Sequence, residues 1–173
     1  MPIIEKGGIL YVSCGVPGSG KSTFLNEFKG EDEIVISRDN IRYSLLKPGE
    51  DYYSHERESY QIFLQLIKKN IQAGKNVYAD ATHLNASSRF ALLKNLNNRG
   101  CHPCEINAIY FKIPLKVCFE RNEMRKNTPT YVPEDQLRQM YGQFSPPHAY
   151  EGFNNIWEVN EEGDVNIIYE RSE

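Results

Sequence analysis

The sequence has no apolar run approaching the ~18 residues of a membrane-spanning helix. Met1-Pro2-Ile3-Ile4-Glu5-Lys6 has neither a basic start nor an apolar stretch, so no secretory signal peptide is expected there. There is no basic surplus either. Lys and Arg number 20 against 23 Asp and Glu, a net charge of −3. That excludes a broad basic surface gripping a long nucleic acid, but not a partner held only by its end. Internal repeats, low-complexity tracts and Pro/Gly/Ser linkers are missing, so nothing divides the chain. Cysteines are few. Cys14 and Cys118 sit in apolar patterns and are expected as buried thiols. Cys101-His102-Pro103-Cys104 has CxxC spacing, but no second pair accompanies it and it falls in a turn before a strand. A zinc or redox site is therefore the lesser reading. A reducing cytoplasm is the expected location.

What is present fits one globular domain over residues 1–173, since roughly 100–200 residues make a domain. Apolar runs at residues 9–14, 33–37, 76–81 and 105–111 read as strands. Between them lie helical patterns, the longest over residues 54–73. Its stripe is Tyr60, Phe63, Leu64, Ile67 and Ile71, at spacings of three and four. Asn85 can cap a helix over residues 86–97, with Phe90, Leu92, Leu93 and Leu96 facing inward. Pro114 opens a further helix through about Arg125, then comes a polar connection, Lys126–Pro133, and a helix over 134–143. Residues 156–159 and 165–169 read as a terminal hairpin about Glu161-Glu162-Gly163-Asp164. Strands alternating with helices predict an α/β fold with a mostly parallel sheet and helices on both faces. Ligands of such sheets sit beyond the carboxyl ends of the strands.

One stretch carries specific chemistry. Gly15-Val16-Pro17-Gly18-Ser19-Gly20-Lys21-Ser22 matches G-x-x-x-x-G-K-[ST] between a strand and a helix. Glycines let backbone N–H groups converge on phosphate oxygens, and the helix start adds unpaired N–H donors. Lys21 can reach the outer phosphates and the Ser22 hydroxyl can sit on Mg²⁺. Gly15, Pro17, Gly18, Ser19, Gly20, Lys21, Ser22 and Thr23 are thus the expected binding set for ATP or another nucleoside triphosphate.

Three further clusters should reach the same edge. Asp39 and Arg42 are three apart at a helix start and share a face. An aspartate facing the loop can take a proton from an attacking hydroxyl, and an arginine beside it can bind an anionic group of the acceptor. A surface ion pair without a role is the competing reading. Asp80 ends a strand and could serve the Mg²⁺ shell or position the acceptor; an ordinary turn aspartate is the alternative. His83 could touch substrate or be a loop histidine. Arg121 and Arg125, four apart, could reach the phosphates from a mobile lid. With Glu120 and Glu123 nearby they could equally form a solvated face.

These residues together resemble the polynucleotide 5′-hydroxyl kinases of the bacteriophage end-healing type. The resemblance rests on the glycine loop, Ser37-Arg38-Asp39-Asn40-Ile41-Arg42, the stretch from Asp80-Ala81-Thr82-His83-Leu84-Asn85 to Arg89, Arg121-Asn122-Glu123-Met124-Arg125, Val132-Pro133, Leu137-Arg138-Gln139-Met140-Tyr141 and Pro147 through Glu151-Gly152-Phe153, and spans about residues 8–160. The phage-type stretch puts its aspartate directly before the threonine, whereas Ala81 separates Asp80 from Thr82 here. The resemblance implies a P-loop kinase fold with a mobile lid and transfer of the ATP γ-phosphate to a 5′-OH end of DNA or RNA. It implies Lys21 on the phosphates, Ser22 on Mg²⁺, Asp39 as general base and Arg42 on the phosphate next to the acceptor hydroxyl. Asp80 and Thr82 would lie at the acceptor, and Arg125, with Arg121 as the other candidate, would act from the lid. A separate ligase or phosphatase partner would complete end healing. Two other readings compete: a kinase of small-molecule hydroxyls (nucleoside, sugar or antibiotic), which the acidic charge suits, and a non-catalytic nucleotide-binding module.

Overall fold

A computed structural model describes residues 7–173; Met1–Lys6, where no signal peptide is expected, lie outside the described residues. The strands are β1 (Ile9–Cys14), β2 (Ile34–Ser37), β3 (Val77–Asp80), β4 (Glu105–Phe111), β5 (Asn155–Val159) and β6 (Val165–Glu170). The helices are α1 (Lys21–Phe28), α2 (Arg38–Leu45), α3 (Glu56–Gln72), α4 (Ala86–Asn98), α5 (Leu115–Glu123) and α6 (Glu134–Gln143), with a 3₁₀ turn at Ala149–Glu151. The sheet order is β2-β3-β1-β4-β5-β6. β2 through β5 pair parallel in that order, and β6 closes the edge antiparallel to β5. Expected elements and observed ones agree to within a residue or two at most ends.

Side-chain alternation explains why the sheet needs cover on both faces. In β1, Leu10, Val12 and Cys14 point into one core with Phe63, Leu64, Ile67 and Ile71 of α3 and Leu92 and Leu96 of α4. Tyr11 points to the other, with Leu25 of α1, Cys118 of α5 and Leu137 of α6. β3 splits likewise: Val77 and Ala79 enter the first core and Tyr78 the second. Tyr11 and Tyr78 stack at 4.4 Å across the strands.

The α4 stripe differs from the expectation. Phe90 is exposed, and Arg89 takes the inward position with Leu92 and Leu96. Spacings of three and four run Arg89, Leu92, Leu93, Leu96, and an ion pair between the fully buried Arg89 side chain and Glu151 lets an arginine open that stripe. Asn85 caps the helix as expected, accepting from Ser88 N–H at 3.0 Å in a reciprocal capping box. α5 is shorter than expected. It ends at Glu123, so Arg125 lies in the following turn rather than on a face shared with Arg121.

The topology brings the ends of β1, β2 and β3 together. Ser37 and Asp80 are register partners, and the Ser13 hydroxyl donates to Ala81 O at 2.9 Å while accepting from Ala81 N–H at 3.2 Å. The glycine loop, the start of α2 and the loop after β3 therefore meet at one edge.

Candidate active site

The glycine loop is shaped by what crowds it. Gly18 has φ 81°, and a Cβ there would sit 2.6 Å from the Cys118 carbonyl oxygen. Gly20 has φ 85°, and a Cβ would meet the Arg121 guanidinium at 3.0 Å. Positive φ with a neighbour that close is a place for glycine alone. Gly15 N–H donates to Thr82 O at 3.0 Å, which ties the loop to the segment after β3. Thr82 thus meets the loop through its carbonyl. Among the described residues Ser19 Oγ is buried and has no hydrogen-bond partner, as a donor awaiting an oxygen ligand would be.

Lys21 donates to Val16 O at 3.1 Å, across the mouth of its own loop. Burial pulls its pKa below the ordinary lysine value, while Asp80 and Asp39 hold it up. Ser22 Oγ donates to Asp80 Oδ2 at 2.6 Å. Asp80 is buried at the end of β3; burial pushes its carboxyl up and Lys21 draws it back. The structure therefore places Asp80 against Ser22. Two hard oxygens side by side at a phosphate cradle are the donor set that Mg²⁺ takes. Among the described residues no cluster of three or more His, Cys, Asp or Glu could hold a metal by itself. Cys101 is buried and Cys104 exposed, both as free thiols, so the CxxC pair makes no such cluster. Cys14 and Cys118 are buried as expected.

His83 is not in the crevice. It is 8% exposed, with φ 42°, and its Nδ1–H donates to Ser13 O at 2.6 Å. Burial lowers its pKa to about 4, so the ring is neutral and structural. The bond to Ser13 O gives this ring the part of a loop histidine that ties the segment after β3 to β1.

Asp39 and Arg42 are together at the start of α2, where Ser37 Oγ caps the helix by accepting from Asn40 N–H. Arg42 Nη1 donates to Asp39 Oδ1 at 2.9 Å. Two residues that the motif did not mark complete this corner. Glu56, at the start of α3, accepts from Arg42 Nε at 2.8 Å and Nη2 at 2.7 Å, a two-bond fork. The Tyr52 hydroxyl donates to Asp39 Oδ1 and accepts from Arg42 Nη1. Hydrogen bonding to Arg42 holds the Glu56 carboxyl below the usual glutamate range. Burial and the Asp39 hydrogen bond raise the Tyr52 phenol, so it stays protonated and donates. Arg38 is an ion-pair partner of Glu56, with its guanidinium 4.7 Å over the Tyr60 ring.

The two lid candidates separate. Arg121 donates to Ser19 O at 3.0 Å and so sits on the glycine loop already. Arg125 starts the connection, near enough to bear on the titration of both Lys21 and Tyr43. That connection is pinned at its far end, where Asn122 donates to Val132 O (2.7 Å) and accepts from Val132 N–H (3.0 Å). Mid-way, the Tyr43 hydroxyl donates to Pro129 O at 3.1 Å. Outside the loop, a cavity of about 470 Å³ opens between Ser19, Gly20, Thr23, Arg121, Arg125 and the β5–β6 turn. It is of a size for a nucleoside. Nothing in the terminal hairpin's sequence had marked it as part of the site.

Arg89 was also missed as a positioning residue. It donates to Glu151 Oε1 at 2.6 Å, to His83 O at 2.8 Å and to Ser145 O at 3.0 Å. Its signs in the sequence are its place in the stripe of α4 and at the end of the Asp80–Arg89 stretch.

The AAA domain family model matches residues 10–147. A protein of Autographa californica nuclear polyhedrosis virus named "Putative bifunctional polynucleotide kinase/RNA ligase" is 26% identical over 155 residues, covering 82% of this chain and 22% of the viral protein. Among solved structures, a chain of the Pnkp1/Rnl/Hen1 RNA repair complex superposes with a TM-score of 0.62 at 21% identity, over 82% of this chain and 45% of that one. Chaetomium thermophilum Kti12, solved with ADP-AlF3, gives 0.65 at 14% identity over 90% of both chains. A gluconokinase from Sinorhizobium meliloti 1021 gives 0.53 at 20%, over 89% of this chain and 82% of that one. The chain thus spans about a fifth of the viral relative and under half of the repair-complex chain. Matched by that family model over residues 10–147, and with its glycine loop carried on the edge of a mostly parallel sheet as in the fold of those solved kinases, the chain is a member of the AAA domain family.

Proposed function

We propose that the chain transfers the γ-phosphate of ATP to the 5′-hydroxyl end of DNA or RNA. The observation that carries the reading is the Asp39–Arg42 pair set beside the glycine loop. The relative's name, a polynucleotide kinase joined to an RNA ligase, supports the choice of acceptor. Both recorded hydrogen bonds to the Asp39 carboxylate fall on Oδ1, which leaves Oδ2 for an acceptor hydroxyl. Asp39 takes the proton as the hydroxyl oxygen attacks the γ-phosphorus, and the bond to the β–γ bridging oxygen breaks to leave ADP. Lys21 and the loop N–H groups neutralise charge on the phosphates. Arg42, oriented by Glu56, binds the phosphate adjoining the acceptor. Arg121 holds the donor at the loop, and Arg125 is the arginine placed to swing onto the transferring group. Thr82 stands at the junction of loop and acceptor. Ser22 and Asp80 would hold Mg²⁺, which when bound spreads the charge of the β- and γ-phosphate oxygens.

The chain works in this reading as one kinase domain, with a ligase or phosphatase consuming or preparing its ends. Among the described residues no helix is long and apolar enough to cross a membrane, and four free thiols fit a reducing cytoplasm. Labelled ATP offered with 5′-OH oligonucleotides of DNA and RNA, and with a panel of nucleosides and sugars, tests the acceptor. Label on the oligonucleotides supports the proposal. Label on a nucleoside or sugar alone would replace it with the small-molecule kinase, and the net charge of −3 is what favours that second reading.

A further inference from the structure

Three tyrosines crowd the Asp39–Arg42 corner, and the phosphoryl-transfer chemistry uses none of their rings. Tyr52 and Tyr53 meet edge to face, with centroids 4.7 Å apart, and Tyr43 lies 5.6 Å from Tyr52. The Arg42 guanidinium is 5.0 Å from the Tyr52 ring and 5.8 Å from the Tyr53 ring. Two of the three are fixed by their hydroxyls, Tyr52 on Asp39 and Tyr43 on Pro129 O. Tyr53 is held instead through its backbone, whose N–H donates to Asp51 Oδ1 at 2.9 Å. The residue is 60% exposed, and its ring meets Tyr52 and Arg42 alone among the aromatic and cationic groups of the corner. A single exposed tyrosine is unremarkable. One mounted on a fixed turn, beside an arginine and one ring away from the group that touches Asp39, is a surface made for a flat partner.

We propose that Tyr53 is a stacking platform for the base of the acceptor's terminal nucleotide, and therefore a residue that selects nucleotide ends over sugars. This rests on the reading of the acceptor as a 5′-OH end. A base lies one sugar away from its own 5′ oxygen, and Tyr53 lies one side chain away from the residue bonded to Asp39. Aromatic faces accept every base, so the contact favours nucleic acid without favouring a sequence. It also gives a chain with no basic surplus a way to hold a strand end without a long electrostatic track.

An oligonucleotide whose 5′-terminal residue is abasic separates this contact from all others. Wild-type protein should phosphorylate the abasic end with a kcat/KM roughly tenfold below that of the base-bearing end, the scale of one lost base–aromatic stack. Tyr53→Ala should bring the two acceptors to within about twofold of each other, and Tyr53→Phe should restore the gap. A gap that survives Tyr53→Ala overturns the platform while leaving the 5′-kinase reading intact. Absence of transfer to any oligonucleotide by the wild type overturns that reading and the platform with it. Because Tyr53 is largely exposed, nearly unchanged thermal unfolding of both variants is expected, and a large drop in Tm for Tyr53→Ala would overturn the platform in favour of a structural ring.

Discussion

The glycine loop and the α2–α3 corner hold charge in opposite ways. In the loop, the backbone does the holding. Contiguous residues set its path, and its side chains bond to main chain or to Asp80 directly behind it. In the corner, side chains hold side chains. Asp39, Arg42, Tyr52 and Glu56 come from α2, the following turn and the start of α3, and Asp39 remains more than half exposed. A backbone cradle is fixed as soon as the sheet forms. A web of half-exposed ion pairs is adjustable and weakened by salt. In the proposed 5′-end kinase the donor is one molecule, whereas the acceptor varies from end to end, and the two halves differ in the matching direction.

The sharpest way to break that comparison is Asp39→Asn. It should lower kcat by about 10²–10⁴ while nucleotide affinity stays intact, because in the proposed mechanism the base acts only at the acceptor. Calorimetric titration with ADP alongside the transfer assay checks it, and a lost ADP titration would show that the halves are not separable. Next comes Arg121→Ala, which removes a side chain already on the loop. ADP affinity should fall roughly tenfold, the scale of a hydrogen bond to a charged group, with the acceptor KM unmoved. Glu56→Gln tests the other half. It keeps the shape but loosens the fork on Arg42, and the acceptor KM should rise several-fold, up to about tenfold, with ADP affinity unmoved. A rise in the ADP Kd instead would mean that the corner props the loop.

The smallest effect belongs to His83. Its folded pKa of about 4 lies below the ordinary 6.5, so the unfolded chain binds the extra proton between those values. Stability is therefore complete above pH 6.5 and falls as the pH drops toward 4. Urea melts of His83→Asn, which can keep the donor to Ser13 O and suits positive φ, should show a shallower fall. An unchanged slope would place the acid sensitivity elsewhere.

Most of the donor half was legible in the sequence because its geometry is local. A strand, spaced glycines and a helix start are enough to locate Lys21 and Ser22. Asp80 was found at the right edge but with two roles open. Only the 2.6 Å bond from Ser22 draws it to the loop, since pairing between distant strands leaves no spacing rule. The corner was half legible: Asp39 and Arg42 share a helix turn, but Glu56 is 14 residues from Arg42 and Tyr52 ten. Phe90 and Arg89 were exchanged because hydrophobicity is a poor guide where a buried carboxylate waits for a cation. Arg125 left its helix because α5 ends at Glu123 and turns there.

The Arg89–Glu151 pair has a consequence for where this molecule can be cut. The family match stops at residue 147, four residues before the carboxylate that neutralises Arg89. Arg89 in turn grips the His83 carbonyl, and the neighbouring Thr82 carbonyl receives the N–H of Gly15. A fragment trimmed at the edge of the match would leave a fully buried guanidinium without its counter-charge, one residue from the peptide that steadies the nucleotide loop. Unpaired charge of that kind costs about 3–5 kcal/mol, a large share of what holds a domain of this size together. The recognisable portion of the chain and its cooperative folding unit thus have different borders, and the turn that carries Glu151 belongs to the second.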